Sequence, residues 1–321
     1  GINYPYLFDV PDTYTPEKTY QVRVQLHGGV SRPDSAPRTN GIGPLAGDEQ
    51  IYVLPSGWAV AEWWTDRQLE NLRAILDRLK RTYNIDENRV VLSGVSDGGT
   101  GTYYIAMRDM TPFASFLPLN GALPVLRSTS LQIDGQLFPN NFRGRPFFIV
   151  NGGLDPLYPT SLVEPFVEQM SKNGVTVQYL PQPEARHNTA WWPTVKDTYE
   201  TFVREHPRNP FPDTLTWETD LTAGTNRADW LVIDSLAPTR TDRLSLPDLN
   251  EFVMAVGDFG VRTAGSRIVE VQPGGNADRF SLKAGDVVVR IDGETVPFGV
   301  DLNSVLTSYE PGQPMTILVS R

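Results

Sequence analysis

The chain has 321 residues, 40% of them apolar and 21% charged, with a formal net charge of −10. That length suits two domains with substantial cores, and the acidic balance excludes nucleic-acid binding, which needs a basic face. No apolar run approaches the roughly eighteen residues of a transmembrane helix, and the absence of cysteine removes disulfides, thiolate metal sites and cysteine nucleophiles together.

In chain order, the first part alternates strand and helix. Residues 20–26 alternate polar and apolar as a strand does, and they lead into His27-Gly28-Gly29. Residues 51–54 form a short buried strand. Residues 66–83 carry Leu69, Leu72, Ile75, Leu76 and Leu79 at helical spacing. Residues 90–93 are the next strand, and a helix is predicted over 98–107. Strands follow at 116–119 and 147–150, a helix at 163–170, a strand at 175–180, and a last helix from Trp191. Strand and helix in turn over about 200 residues imply an α/β class: a mostly parallel sheet with helices on both faces. After Pro207 the pattern breaks. Pro207, Pro210 and Pro212 have linker chemistry, with short strand-like pieces at 213–218 and 229–233. From about Gly257 a compact, β-rich unit begins, with one helix candidate over 301–309. The expected domains are 1–208, a linker or short β extension over 209–250, and 251–321.

The most informative segment is Gly94-Val95-Ser96-Asp97-Gly98. A β-branched run ends in Gly-x-Ser-x-Gly and a helix follows, the pattern of a strained turn that exposes a serine hydroxyl. Side chains at Gly94 and Gly98 would not fit so tight a turn. A serine hydroxyl needs a base and a group to orient that base. Of the three histidines, His187 follows a strand and precedes a helix, where loops at carboxyl ends of parallel strands converge. His206 sits at the far end of that helix and reads as structural. His27 precedes two glycines whose amides could approach a carbonyl oxygen, and its ring reads as an orienter of that loop. Asp155 follows the strand 147–150 and is the expected acid, with Asp134 as runner-up. No metal-ligand spacing appears, and no cofactor is expected.

These residues carry a resemblance. Residues 4–206 resemble the α/β-hydrolase family through His27-Gly28-Gly29, Gly94-Val95-Ser96-Asp97-Gly98 and Leu154-Asp155-Pro156. Within it, the chain is most similar to secreted esterases and prolyl-oligopeptidase-like catalytic domains. The resemblance implies a Ser96, Asp155, His187 triad, and an oxyanion hole from the backbone of Asp97 and of Gly28 or Gly29. Arg186 stands where the family usually has glycine. Residues 121–144 fall where this fold carries its lid; the segment is short, so an open site is expected. Trp63, Trp64, Trp191 and Trp192 are candidate pocket-lining residues, with helix packing as the competing reading.

The last 65 or so residues resemble a PDZ domain. Gly257-Asp258-Phe259-Gly260-Val261 matches its carboxylate-binding loop, and residues 282–293 match its bacterial signature. The resemblance implies capture of a peptide or protein C-terminus by the amides of Phe259, Gly260 and Val261, unless the groove is vacant or holds the chain's own linker. Three readings follow: a serine esterase with a peptide-binding module, a serine peptidase of prolyl-oligopeptidase type, and a non-catalytic peptide-binding scaffold. The intact serine, acid and base favour an enzyme. Ester substrates are favoured over peptides because they are intrinsically more reactive. The chain begins at Gly1 rather than Met, as one trimmed of a signal peptide or left with a tag remnant would; a periplasmic or secreted protein is favoured.

Overall fold

A seven-stranded sheet organises the first two-thirds of the chain. The computed structural model describes residues 2–44, 49–127, 136–220, 225–235, 249–255, 260–273, 276–279, 281–296, 302, 305 and 314–321. The sheet strands are β1 (Tyr6–Asp9), β2 (Tyr20–Leu26), β3 (Gln50–Pro55), β4 (Ile85–Val95), β5 (Ser115–Leu119), β6 (Phe147–Gly152) and β7 (Val177–Gln182). Their spatial order is β1-β3-β2-β4-β5-β6-β7. The pairs β2–β3, β2–β4, β4–β5 and β5–β6 are parallel, and the edge strand β1 runs antiparallel to β3.

The helices are α1 (Asp66–Thr82), α2 (Asp97–Arg108), α3 (Thr160–Lys172) and α4 (Trp192–Glu205). α1 buries Leu69, Leu72, Ile75, Leu76 and Leu79, the stripe that the i, i+3, i+4 spacing predicts. Asp66 in its first turn and Lys80 and Arg81 in its last complement the helix dipole. Successive residues of a strand point to opposite faces, and β6 shows what covers each. The Phe147 ring lies 6.0 Å from Tyr103 of α2, whereas Phe148 meets Tyr199 and Phe202 of α4 at 5.6 and 5.3 Å. Helices therefore flank both faces, and β5 and β6 read as mostly apolar runs because both sides are buried, whereas β2 keeps its polar alternation although Arg23 and Gln25 are buried as well. Burying each such side chain contributes about 1.5–3 kcal/mol.

Two segments differ from the sequence reading. β1 was not expected; its exposed Leu7 and Phe8 obscure the alternation that marks a half-buried strand. Residues 213–218 were expected to be strand-like but form none. The backbone of Glu218 is held by a side chain instead: Asn141 Nδ2 donates to the Glu218 carbonyl at 2.9 Å, and the Glu218 amide donates to Asn141 Oδ1 at 2.7 Å. A bidentate asparagine thus does what a neighbouring strand would do. Beyond it, β8 (Arg227–Ala228) and β9 (Leu231–Val232) form a small hairpin. Asp229 at its turn is an ion-pair partner of Arg145 at 2.6 Å, with both side chains buried.

By contact the chain divides into two units, Gly1–Val150 with Met170–Leu180 and Thr189–Ser245, and Asn151–Gln169 with Pro181–Asn188 and Leu246–Arg321. The second contains an antiparallel sheet of β10 (Leu249–Ala255), β11 (Val261–Ala264), β12 (Arg267–Val271), β13 (Val287–Ile291), β14 (Glu294–Thr295) and β15 (Pro314–Ser320), with a short α5 (Asn276–Arg279). The order is β10-β15-β13-β12-β11, and β14 pairs with β13. Its own core includes Ile268, Leu282, Val288, Ile291, Ile317 and Val319. Most of the helix expected over 301–309 lies outside the described residues; Leu302 and Val305 are helical.

Candidate active site

Ser96 occupies a single-residue junction between β4 and α2 with φ 58° and ψ −120°. A non-glycine residue in that region is strained by about 1–3 kcal/mol and persists only where its surroundings over-determine it. They do so here. The Ser96 amide donates to the Leu119 carbonyl at 2.9 Å, and its carbonyl accepts from the Thr100 amide at 2.9 Å. A Cβ on Gly94 would collide with the Gly98 carbonyl, and one on Gly98 would collide with the Leu26 carbonyl. The two glycines are thus the close approaches the turn requires. Asp97 is the first residue of α2, so its amide is one of the donors that lack an intrahelical partner.

The loop after β2 runs beside this serine. A Cβ built on Gly28 would lie 2.7 Å from the Ser96 Cβ and 3.3 Å from its Oγ, so only glycine allows the loop so near. His27 is fully buried beneath the loop. Its Nε2 accepts from the Gly57 amide at 3.0 Å and its Nδ1 lies 2.9 Å from the Gly28 carbonyl. Accepting at Nε2 assigns the proton to Nδ1, so the ring is neutral and bridges two backbone segments. Burial, the largest influence, pushes its pKa below 6.5; the Gly28 contact acts the other way.

The amides of this loop can be accounted for one by one. Gly28 N–H donates to Asn40 Oδ1 at 3.1 Å, and Val30 N–H donates to the Asp97 carboxylate at 2.9 Å. Between them stands the amide of Gly29, a residue at φ 71°. Sequence reasoning missed both clamping side chains. Asn40-Gly41 is a recognisable turn dipeptide, but nothing local announces where its amide group reaches.

In the second unit, His187 and Asp155 meet. Their Nδ1 and Oδ2 are 2.7 Å apart. The Asp155 carboxylate is fully buried, and its other oxygen accepts from the Leu157 and Tyr158 amides at 2.8 and 3.0 Å. Three contacts fix the direction in which the carboxylate aims at the imidazole. The loops after β6 and β7 are joined to achieve this. Gly153 N–H donates to the Gln182 carbonyl at 2.8 Å and Leu154 N–H to the Ala185 carbonyl at 2.9 Å. Side chains at Gly152 and Gly153 would collide with the Ala185 and Pro183 carbonyls. With Nδ1 bonded to the acid, Nε2 is the basic nitrogen of the ring. Tyr158 packs its ring edge against His187 at 5.5 Å. Arg186 is accommodated without disturbing the pair. Asp134 lies outside the described residues.

The tryptophans divide. Trp63 is fully buried, which corrects the expectation that it lines a pocket. It packs against Gly57 and Gly101 and donates from Nε1 to the His27 carbonyl at 2.7 Å. Trp64 and Trp191 are also buried. Trp192 is half-buried, with its ring 5.1 Å from Tyr199. His206 contacts the Phe202 carbonyl through Nδ1 at 2.7 Å and packs, tilted by 33°, on the Phe202 ring, a structural role. Among the described residues no cluster of three or more His, Asp or Glu could hold a metal, and no helix is long and apolar enough to cross a membrane. In the C-terminal sheet, Gly260 has φ 64° and its carbonyl accepts from Gln272 N–H at 2.7 Å; Val261 begins β11, and Phe259 lies outside the described residues.

Comparison with known proteins gives the fold. The chain is similar to a thermostable esterase, with a TM-score of 0.50 and 22% identity over 65% of this chain and 60% of that one. It is also similar to an acylaminoacyl peptidase bound to Z-Gly-Gly-Phe-chloromethyl ketone, with a TM-score of 0.51 and 14% identity over 66% of this chain and 41% of that one. The mixed sheet with flanking helices is the α/β-hydrolase fold of these neighbours. In sequence, the chain is 29% identical over 149 residues to the bifunctional acetylxylan esterase/xylanase XynS20E of Neocallimastix patriciarum, which is 45% of this chain and 21% of that protein. The match thus spans about a fifth of the length of that relative. No family model matches.

Proposed function

We propose that this protein is a serine hydrolase acting on carboxylic esters through Ser96, His187 and Asp155. The observation that carries the reading is Ser96 itself: a serine held at φ 58° on a strand-to-helix turn, with glycine backbone against its side chain. Strain of this kind has no stabilising value and is what exposing a nucleophile demands. The Asp155–His187 pair adds a base with its tautomer set, on the loops that follow β6 and β7.

The chemistry follows from these groups. Ser96 Oγ attacks the ester carbonyl as His187 Nε2 takes its proton, and the imidazolium is stabilised by the Asp155 carboxylate. The tetrahedral oxyanion receives the amides of Asp97 and Gly29, since the Gly28 amide is engaged by Asn40. Collapse breaks the bond to the alcohol, which leaves with the proton from His187. Water, deprotonated by His187, then attacks the acyl-enzyme, releasing the acid and restoring Ser96.

Ester substrates are favoured because a relative in sequence is a bifunctional acetylxylan esterase/xylanase and a fold neighbour is an esterase; the peptidase neighbour keeps amide bonds as the second reading. Purified protein is expected to hydrolyse short-chain chromogenic esters, with Ser96→Ala lowering kcat by about 10⁴-fold or more. A fluorophosphonate should label Ser96 alone. Full activity in Ser96→Ala, or labelling of another serine, would overturn the assignment, and a panel of acyl, aryl and peptide substrates separates ester from amide hydrolysis.

We further propose that the C-terminal sheet is a PDZ-like module that binds a peptide C-terminus. Among the described residues β11 stands at the edge of the sheet, next to β12, which suits addition of an extended peptide. Gly260, at φ 64°, stands directly before that strand, where the carboxylate-binding amides are expected.

A further inference from the structure

Asn40 belongs to none of the motifs, yet it makes two bonds beside the nucleophile. Its Oδ1 accepts the buried Gly28 amide at 3.1 Å, and its backbone carbonyl accepts from Thr189 Oγ1 at 2.7 Å. Both depend on an unusual backbone. Asn40 has φ 51° and Gly41 φ 80°, two consecutive left-handed residues that reverse the chain. Asparagine is among the few non-glycine residues that tolerate that region. A Cβ on Gly41 would lie 2.6 Å from Thr189 Oγ1, so glycine there lets the threonine reach the Asn40 carbonyl.

We propose that Asn40 is a positioning residue for the hydrolysis described above, on which this inference rests. Its side chain holds the Gly28 amide while Asp97 holds the Val30 amide, so the Gly29 amide between them is aimed at the oxyanion. Its backbone ties the same loop to Thr189, two residues beyond His187 in the chain. Asn40 touches no reacting atom. It acts on the angle of a donor, and misplacing a catalytic group by about 1 Å can cost about a hundredfold in rate. The ground-state substrate gains little from that donor compared with the tetrahedral intermediate, so the effect falls on kcat rather than on KM.

Asn40→Gly keeps the left-handed backbone accessible and removes only the acceptor. It is expected to lower kcat about ten- to a hundredfold with KM changed less than about twofold. Thr189→Val removes the second bond at nearly constant volume; it is expected to lower kcat by about threefold or more, and the double variant should lose little beyond Asn40→Gly. A kcat within twofold of wild type in Asn40→Gly, or a loss confined to KM, overturns the proposal. A fully active Thr189→Val overturns the tie to Thr189 even if Asn40→Gly does not fold. Hydrogen exchange at the Gly28 amide reads the contact without catalysis: at least about tenfold faster exchange is expected in folded Asn40→Gly, and unchanged protection overturns the contact. A wild-type chain without Ser96-dependent hydrolysis would defeat the hydrolase reading, while the exchange result still decides the contact.

Discussion

His27 illustrates how one buried side chain can hold a loop through its contacts. Its ring accepts the Gly57 amide, contacts the Gly28 carbonyl, and lies edge-on to Trp63 at 5.2 Å. Protonation would convert the accepting Nε2 into a donor facing another donor, and burial already opposes the charge. Because the folded-state pKa lies below the unfolded value near 6.5, the native state binds fewer protons than the unfolded one as pH falls. Stability from this residue is therefore present above pH 6.5 and is lost as pH falls from there through the lowered pKa. Thermal unfolding between pH 7 and pH 5 should show that loss. The His27 imidazole followed by NMR should remain neutral below pH 6.5, and titration at or above that value would refute the account.

At the scale of elements, turns and long-range clamps matter more than propensity. α2 is a poor helix by composition, with Gly98, Gly99 and Gly101 in twelve residues, since each glycine costs up to about 1 kcal/mol against alanine. The glycines are there because α2 presses on its neighbours: side chains would strike Leu26, Gly121 and Trp63. The β8–β9 hairpin is likewise too short to stand alone. It is held by the Arg145–Asp229 pair and by the Asp229 amide donating to Thr111 Oγ1 at 3.0 Å. Removing one member of a buried ion pair leaves an uncompensated charge, so Asp229→Ala is expected to cost about 3–5 kcal/mol. Denaturant unfolding measures this, and a change below about 1 kcal/mol would show the pair to be dispensable.

At the scale of the whole molecule, two cores coexist. The core around Ile268, Val288 and Ile317 draws on residues between 261 and 319, from the C-terminal sheet, from helical residues and from the connections between them, whereas the hydrolase-fold sheet is built around β2, β4 and β5. Peptide capture is thus a property to test separately from hydrolysis. The full chain should bind peptides with a free C-terminal carboxylate at least about tenfold more tightly than their amidated forms, because the backbone amides at the head of β11 complement that charge. Equal affinity in a fluorescence titration would reject the PDZ-like reading of that surface.

Much of this was legible in the residues. Apolar periodicity marked α1 and the strands β2 to β6, because buried faces must be apolar whatever surrounds them. Gly94-x-Ser96-x-Gly98 marked the turn because its backbone geometry is local. The edge strand β1, the irregular course of residues 213–218 and the burial of Trp63 were not legible, since each depends on partners distant in the chain. The 2.7 Å approach of His187 to Asp155 and the side chains of Asn40 and Asp97 that engage the Gly28 and Val30 amides are of the same kind. Short-range order follows from residue type and spacing. The pairing of groups tens of residues apart follows only from how the sheet and its loops close on one another.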